Sequence, residues 1–203
     1  HLCESLTSTE SKMQYVPSLL VNHRYVIVLL AGKNQSMDLE VIMDIQKLLS
    51  YTRRAVDDYG LIGENDKIAV GISGGKDSLT LLHALKGIQR FYPKHFTLVA
   101  LTVHLGYEDF HTEQIHSFCE ELEVPYECVH TQISDLLQDQ KHPCSLCARL
   151  RKGAFNQAAL KNKCNKIAYA HHRDDFIETM FLSLFYEGRF HSFSPKTKLE
   201  RTG

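Results

Sequence analysis

The stretch Lys67–Ser78 reads K-I-A-V-G-I-S-G-G-K-D-S, and it decides the fold. Its first half is a short apolar run, which is typical of a buried strand. A glycine-rich loop follows at once, and an apolar pattern of helical period begins after it at Asp77. A strand, a tight turn and a helix in direct succession are the first half of a βαβ unit. The stretch therefore predicts an α/β domain with a loop at the carboxyl end of a strand.

The chain on either side of this stretch continues the alternation. Apolar runs predict strands at 67–72, 96–104, 126–130 and 166–170. Apolar residues at every third or fourth position predict helices at 38–59, 77–90, 111–122, 144–162 and 174–187. Helices between strands require right-handed crossovers, so we expect an open, doubly wound parallel sheet in three α/β/α layers. Ligands bind such sheets at the carboxyl ends of the strands.

The loop after the first of these strands has the composition of an anion site. Two adjacent glycines let the backbone turn tightly, and the amides and dipole of the following helix attract negative charge. The loop is not a Walker A sequence, because Lys76 is followed by Asp77 instead of Ser or Thr. Asp77 would repel a phosphate unless Mg²⁺ bridges the two or the side chain turns away to cap the helix. The residues predicted to hold a nucleotide are Ser73, Gly74, Gly75, Lys76, Asp77 and Ser78.

A second polar segment, His171–Asp175, follows the last predicted strand and reads H-H-R-D-D. Carboxylates are favoured at a helix start, so Asp174 and Asp175 could serve only to begin a helix. Alternatively, this segment faces the glycine loop across the crevice of the sheet. There His172 would contact the nucleotide, and Asp174 would hold Mg²⁺ together with Asp77. The predicted catalytic residues are Lys76, Asp77, Asp174 and Asp175.

A third informative segment carries the pair Cys144-x-x-Cys147. Such a pair alone fits half of a zinc site, a redox disulfide or two ligands of an iron–sulfur cluster. Zinc would need two more ligands, and the sequence offers no second pair of suitable spacing. A thioredoxin-type pair would follow the first strand, which this pair does not. Six cysteines in an α/β chain favour a reducing cytosol, and no apolar run approaches the roughly 20 residues that span a bilayer.

Charge is distributed in two blocks although the net charge is only −1. Residues 105–140 contain nine carboxylates and no Lys or Arg, and residues 141–173 contain eight basic residues and no Asp or Glu. The blocks could be two solvated helix faces. They could also form a polarised surface whose basic side attracts phosphates, and we then expect Arg149, Arg151 and Lys152 to contact an RNA backbone.

The combination of S-G-G-K-D-S with H-H-R-D-D resembles the PP-loop (N-type ATP pyrophosphatase) family. Within that family the chain is similar to the 2-thiocytidine synthetase (TtcA-like) group, and the similarity covers roughly residues 44–203. The segments that carry it are K-L-L-S-Y-T-R-R-A at 47–55, P-C-S-L-C-A-R-L-R-K-G at 143–153, K-I-A-Y-A-H-H-R-D-D-F-I-E-T-M at 166–180 and F-Y-E-G-R-F at 185–190.

This resemblance implies a Rossmann-like fold of the adenine nucleotide alpha hydrolase type and a two-step reaction. ATP adenylates the C2 oxygen of a tRNA cytidine with release of pyrophosphate, and sulfur then replaces that oxygen. Cys144 and Cys147 would ligate a [4Fe–4S] cluster whose third cysteine is expected beyond Gly203. Mg²⁺, a sulfur donor such as a cysteine desulfurase, and a homodimer are implied in the same way.

Two rival functions remain at this stage. One is another PP-loop enzyme, such as a lysidine synthetase, a different tRNA 2-thiolase or an amidotransferase synthetase. The other is an inactive nucleotide-binding fragment, because His104 stands where a carboxylate or amide is expected at the end of the second strand. The predicted organisation is an unassigned extension at 1–37 and a PP-loop domain at 38–203, interpreted as truncated at its C-terminus.

Overall fold

The structure is a computed structural model that describes residues 14–17, 39–107, 110, 112–137, 143–171, 173–194 and 196–198. Its strands are β1 (Gln14–Pro17), β2 (Asp66–Gly71), β3 (Phe96–His104), β4 (Tyr126–His130), β5 (Lys166–Tyr169) and β6 (Thr197–Lys198). Its helices are α1 (Leu39–Asp58), α2 (Lys76–Gln89), α3 (Glu113–Glu121), α4 (Ile133–Leu137), α5 (Pro143–Lys161) and α6 (Arg173–Glu187).

One sheet contains all six strands in the order β4-β3-β2-β5-β1-β6. Every neighbouring pair is parallel except β1 with β6. The predicted α/β fold with a parallel sheet is confirmed, and the bounds of β3 and β4 are those predicted. The two-residue strand β6 is antiparallel, and it was not predicted. Two residues carry no periodicity, so a strand as short as β6 leaves no signal in the sequence.

Two further elements were not predicted. The short helix α4 has five residues, which is little more than one turn. The strand β1 has four residues, lies within the segment that we left unassigned, and pairs with β5 from Gln14↔Lys166 to Pro17↔Tyr169. The division of the chain after residue 37 stays a prediction.

The core has two parts, one on each face of the sheet. Successive residues of a strand point to opposite faces. Accordingly Ile68 and Val70 pack with α1, α2 and α3, whereas Ala69 between them packs with α4 and α5. The continuous apolar runs of β2 and β3 follow from this, because strands covered on both faces need apolar residues at every position. The three-layer arrangement therefore depends on both clusters.

The strand order places the topological switch point between β2 and β5. The chain moves from β2 through β3 to β4 on one side and returns to β5 on the other side of β2. Val70 lies opposite Ala168 in the parallel register. The loop after β2 and the segment after β5 therefore leave the same edge of the sheet side by side. Helix α5 connects β4 to β5, so its first turn, which carries the cysteine pair, also lies at this carboxyl edge.

The opposite edge of the sheet is held by a buried ion pair. The ammonium of Lys166 lies 2.7 Å from a carboxylate oxygen of Asp66, and each side chain is 7% exposed. Lys166 also donates to the Leu61 carbonyl at 2.6 Å, and the Asn165 amide donates to Asp66 at 2.7 Å. These bonds join the start of β5 to the start of β2, at the ends of the strands farthest from the glycine loop.

Helix α6 differs from the other long helices in what it exposes. Phe185 and Tyr186 are 76% and 84% exposed, and Leu182 is 56% exposed. No residue of α6 among those described belongs to either core cluster.

In the described part of the chain, none of the helices combines the length and apolarity needed to cross a lipid bilayer.

Candidate functional site

The glycine loop between β2 and α2 is folded onto the first turn of α2. The Ser73 amide donates to the Ser78 hydroxyl oxygen at 3.2 Å, and the Ser78 hydroxyl donates to the Gly75 carbonyl at 2.8 Å. Gly74 has φ of +79°, a left-handed conformation that favours glycine. Ser78 is buried, so its hydroxyl shapes the loop from within. The Gly75 amide donates to the Ser73 hydroxyl oxygen at 3.3 Å, so the loop is braced by its own serines. The anion site is then the start of α2, where the first amides of a helix have no partner within the helix.

This loop forms one wall of a cleft of about 430 Å³ at the switch point. The described residues that line the cleft come from four places. The end of β2 with the loop and α2 supplies Gly71, Ile72, Ser73, Gly75, Asp77 and Ser78; β3 supplies Leu101 and Val103; α5 supplies Ala148, Arg151, Lys152 and Phe155; the end of β5 supplies Tyr169, Ala170 and His171. The structure thus brings Asp77 to the same cavity as the start of the H-H-R-D-D segment. It also lines one cavity with residues from both sides of the switch point.

The predicted residues of that segment have different positions. Asp174 and Asp175 lie half-buried in the first turn of α6, three and four residues beyond His171. His172 lies outside the described residues. Lys76 is the first residue of α2, next to Asp77 at the cleft. The magnesium role of Asp77 and Asp174 and the catalytic role of Asp174 and Asp175 stay predictions.

Helix α5 presents one face to the cleft. Ala148, Arg151 and Phe155 recur at helical spacing along it. Cys144 precedes Ala148 by four residues, so it continues the same face about 6 Å farther towards the helix start. Cys144 is exposed, and Cys147 is half-buried against the second core cluster. Two thiols one turn apart can bind the same metal centre.

The remaining described cysteines are more buried than Cys144, and burial disfavours the thiolate form of a cysteine. Burial raises the pKa of Cys119 to about 11, and it also raises the pKa of Cys128 and of Cys164. Cys164 precedes β5 and therefore lies at the opposite edge of the sheet. Within the described residues, no group of three or more His, Cys, Asp or Glu side chains is placed to hold a metal ion. The pair at the start of α5 fits as part of a ligand set.

The three basic residues that we predicted to bind RNA are separated by the structure. Arg151 and Lys152 line the cleft, and the described lining does not include Arg149, which is exposed on α5. The difference arises from the helical period, because Arg149 lies two positions from Arg151 and points to a different side. The RNA-binding role of all three stays a prediction.

Sequence reasoning missed a chain of aromatic rings that runs out of the cleft. Phe155 and Tyr169 have ring centroids 4.9 Å apart, and Tyr169 and His171 are 6.4 Å apart. The chain continues outside the cleft lining. The ring centroid of Phe193 lies 5.3 Å from that of His171 and 5.6 Å from that of Phe176, at the start of α6. The signal that could have found Tyr169 is its position as the last residue of a strand at the carboxyl edge.

A smaller cavity of about 130 Å³ adjoins the cleft on the β3 side and shares Ile72, Ser73, Val103 and Arg151 with it. Tyr107 and Phe110 also line it. His104, which replaced an expected carboxylate or amide, packs its ring against Phe110 at 5.5 Å and His130 at 5.1 Å. Its Nδ1 accepts a hydrogen bond from the Gly106 amide at 3.1 Å. His104 therefore supports the wall of this cavity.

Comparisons with known proteins agree with this architecture. The family model of the PP-loop domain matches residues 22–197. The tRNA-cytidine(32) 2-sulfurtransferase of Geobacter sulfurreducens is 41% identical over 155 residues, which are 74% of this chain and 60% of that protein. The enzyme of the same name from Anaeromyxobacter dehalogenans is 38% identical over 157 residues, which are 75% of this chain and 54% of that protein.

A solved structure is also similar, the U34-tRNA thiolase NcsA from Methanococcus maripaludis with its [4Fe-4S] cluster. It has a TM-score of 0.59 and 29% identity, covering 71% of this chain and 52% of that one. The chain spans 60% or less of the length of these three proteins. The parallel sheet, the glycine loop at its switch point and the match over most of the sequence show that this chain belongs to the PP-loop domain family.

Proposed function

We propose that the protein carrying this chain is an ATP-dependent tRNA thiolase that modifies a cytidine. The observation that carries the proposal is a single cleft lined by the glycine loop and by the face of α5 on which Cys144 lies one turn before Ala148. ATP activation and sulfur transfer need to act on one base, so the two sets of residues must converge. The names of the relatives support a tRNA cytidine as the substrate, because those at 37–41% identity are tRNA-cytidine(32) 2-sulfurtransferases.

The phosphates of ATP would occupy the loop. The backbone amides of Gly74 and of the start of α2 would donate to the phosphate oxygens, and Lys76 would add a positive charge. The adenine would enter the small cavity on the β3 side, whose walls include Tyr107 and Phe110. Mg²⁺ would neutralise phosphate charge beside Asp77, where a carboxylate otherwise repels the nucleotide.

In the first step the C2 oxygen of the cytidine attacks the α-phosphorus. A phosphorus–oxygen bond to the base forms, and the bond to the β-phosphate oxygen breaks. Negative charge grows on the departing pyrophosphate, where the loop amides, Lys76 and Arg151 stabilise it. The adenylated oxygen is a good leaving group, and the base becomes open to a sulfur nucleophile.

The thiol pair would hold the sulfur source. Cys144 and Cys147 fit two ligands of a [4Fe–4S] cluster, since they lie one turn apart and Cys144 is exposed. When bound, such a cluster supplies the sulfur atom. A third cysteine beyond Gly203 would complete the ligand set. Attachment at Cys144 would put this centre on the same helix face as Arg151, which lines the cleft.

The tRNA backbone would lie along α5. Arg149 is exposed, and Arg151 and Lys152 lead into the cleft, so these charges can bind phosphates and guide the base inward. The proposal also includes a sulfur donor such as a cysteine desulfurase, a homodimer, and a reducing cytosolic environment that preserves thiolates.

The test uses the full-length protein, purified without oxygen and loaded with iron and sulfide. It is incubated with ATP, Mg²⁺, sulfide and unmodified tRNA, and pyrophosphate and 2-thiocytidine are measured. We expect both products from the wild type, neither from Lys76→Ala, and pyrophosphate without 2-thiocytidine from Cys144→Ser. Cys164→Ala is the matched control, and it should form both products.

Three outcomes would contradict the proposal. Lysidine in place of 2-thiocytidine would indicate a lysidine synthetase. Thiolation of uridine would indicate a thiolase of the kind that the archaeal structure represents. Loaded wild-type protein that releases no pyrophosphate with tRNA would indicate an inert nucleotide-binding protein.

A further inference from the structure

Two routes lead away from the glycine loop, and rings line both. Towards β3 lies the small cavity with Tyr107 and Phe110. Towards β5 the larger cleft is bounded by Tyr169 and His171, behind which stands Phe193. A nucleotide whose phosphates occupy the loop fills only one of these routes with its base. The other is available to the second substrate.

We propose that the imidazole ring of His171 is the stacking surface for the target pyrimidine of the RNA, and that Phe193 is a positioning residue that holds this ring. The inference rests on the proposed function and specifies how its RNA substrate is held. His171 lines the cleft and is only half-buried, although its Nδ1 lies on the buried side of the residue. Phe193 is half-buried with its centroid 5.3 Å from that ring.

The support behind His171 is itself anchored. The Ser192 hydroxyl donates to the Phe176 carbonyl at 2.9 Å, which ties the segment after α6 back to its first turn. Phe176 and Phe193 meet edge to face at 5.6 Å and 83°. Tyr169, whose ring meets that of His171 edge-on at 6.4 Å, packs in turn against Phe155 at 4.9 Å. The imidazole is thus contacted by two rings that are each held by a further ring, and such preorganisation reduces the entropy lost on binding.

A stacking surface meets a requirement of the reaction. An enzyme that modifies a base must take it out of the nucleic-acid stack, and proteins compensate by stacking the base on aromatic side chains. A pyrimidine on His171 would lie in the cleft that contains the loop. Its C2 oxygen could therefore approach the α-phosphate.

The β5 side suits the RNA better than it suits adenine. The cavity towards β3 is about 130 Å³ with rings and aliphatic side chains around it, whereas the main cleft is about 430 Å³. A base attached to a folded RNA needs the larger entrance. Arg151 borders both cavities, whereas Lys152 lines only the main cleft, so phosphates of the RNA have a further basic partner on this side.

The test measures RNA binding directly with the full-length protein. The probe is a hairpin RNA whose loop carries fluorescent pyrrolocytidine at the position equivalent to cytidine 32 of the relatives' substrate. Stacking on a ring changes the fluorescence, and titration yields the dissociation constant. The variants are His171→Ala, His171→Phe, Phe193→Ala and Phe193→Leu. The matched control is Phe190→Ala, because Phe190 lies three residues from Phe193 and is 78% exposed.

We expect His171→Ala to weaken RNA binding by about 5- to 100-fold and to abolish the fluorescence change. His171→Phe should retain both, since a ring is kept although its nitrogens are lost. Phe193→Ala should weaken RNA binding less than His171→Ala and reduce the fluorescence change, and Phe193→Leu should restore part of it. Phe190→Ala should match the wild type, and the KM for ATP should stay within about twofold for the His171 and Phe193 variants.

Several results would overturn the inference. Equal RNA affinity and fluorescence in wild type and His171→Ala would show that the ring does not stack the base. A rise in the KM for ATP without a change in RNA binding would assign the ring to adenine instead. Loss of binding in His171→Phe would show that the ring nitrogens act, not stacking. If wild-type protein does not bind the hairpin at all, the proposed function itself fails, which is a separate result.

Discussion

Gly71 lies directly beneath the ring of Tyr169. A methyl group on the α-carbon of Gly71 would stand 2.5 Å from ring atoms Cδ1 and Cε1 of Tyr169 and 3.4 Å from the Phe155 ring. The two residues end neighbouring strands, β2 and β5. The close approach lets the Tyr169 ring form the floor of the cleft between the two loops of the site.

Substitution of Gly71 tests this packing. In Gly71→Ala the Tyr169 ring must move, and overpacking of this kind costs about 1–3 kcal/mol. We expect the free energy of unfolding in urea to fall by that amount and ATP affinity to fall with it, because the ring borders the cleft. Wild-type stability together with wild-type ATP affinity would contradict the close packing.

Gly153, in the interior of α5, should behave in the opposite way. A methyl group added there meets nothing within 4 Å. Alanine is favoured over glycine inside a helix by about 0.5–1 kcal/mol, so Gly153→Ala should increase the free energy of unfolding. Urea unfolding followed by circular dichroism measures it. A decrease in stability would indicate a neighbour at this position.

The ion pair of Asp66 with Lys166 predicts a particular pH dependence. Burial by itself raises the pKa of Asp66, but hydrogen bonds from Lys166, Gly63 and Asn165 and the charge of Lys166 lower it below its ordinary value of 3.8. The stability that this carboxylate contributes is thus present above that value and is lost as the pH falls through the lower, folded pKa.

Removal of the ammonium should reverse this dependence. In Lys166→Met the carboxylate stays buried without its partner, which costs about 3–5 kcal/mol at pH 7. Burial then raises the pKa of Asp66 above its unfolded value, so the folded state takes up a proton first and the deficit shrinks as the pH falls from 7 to 5. Urea unfolding at both pH values measures this. The double variant Lys166→Met/Asp66→Asn is the control, because it has no carboxylate at position 66 to take up a proton. A loss of unfolding free energy in Lys166→Met that is the same at pH 7 and pH 5 would refute the prediction.

The cysteines should differ in reactivity. Alkylation requires the thiolate, and Cys144 is exposed, whereas Cys119 is fully buried and its pKa is raised to about 11. At pH 8 without iron, iodoacetamide should modify Cys144 first, with Cys119 and Cys164 protected until the protein unfolds. Peptide mass spectrometry over time distinguishes them. Early labelling of Cys119 would show that this core is open.

Arg149 and Arg151 should produce different defects although the sequence suggests one role for both. Arg151 lines both cavities, so Arg151→Ala should raise the KM for ATP or lower kcat by about tenfold or more. Arg149→Ala should leave the KM for ATP unchanged, weaken tRNA binding and reduce its salt dependence by about one phosphate contact. Identical defects in the two variants would show that the helix face does not separate their roles.

Local signals were sufficient for most of the fold. The run Ile68–Ile72 and most of β3 are apolar because both faces of these strands are covered, and the helices between the strands force parallel pairing. The loop needs glycine at position 74, because the backbone there has a positive φ. The residue types alone therefore identified the loop. Strand β6 could not be predicted, because two residues carry no period. Strand β1 is as short as β5 but lies in a segment without the alternation of strands and helices that marks β5, and both β1 and β6 depend on pairing with a sheet that already exists.

Some residues of the site could be identified from the sequence, but their arrangement in space could not. The sequence by itself determined that a glycine loop ends a buried strand, that carboxylates begin a later helix, and that two thiols lie one turn apart, since each is a relation between near neighbours. Tertiary structure alone decided that Val70 pairs with Ala168, that Arg151 but not Arg149 faces the cleft, and that Phe193 stands behind His171. Those contacts join residues distant in the chain, and they arise only when strand order, helix rotation and packing are settled together.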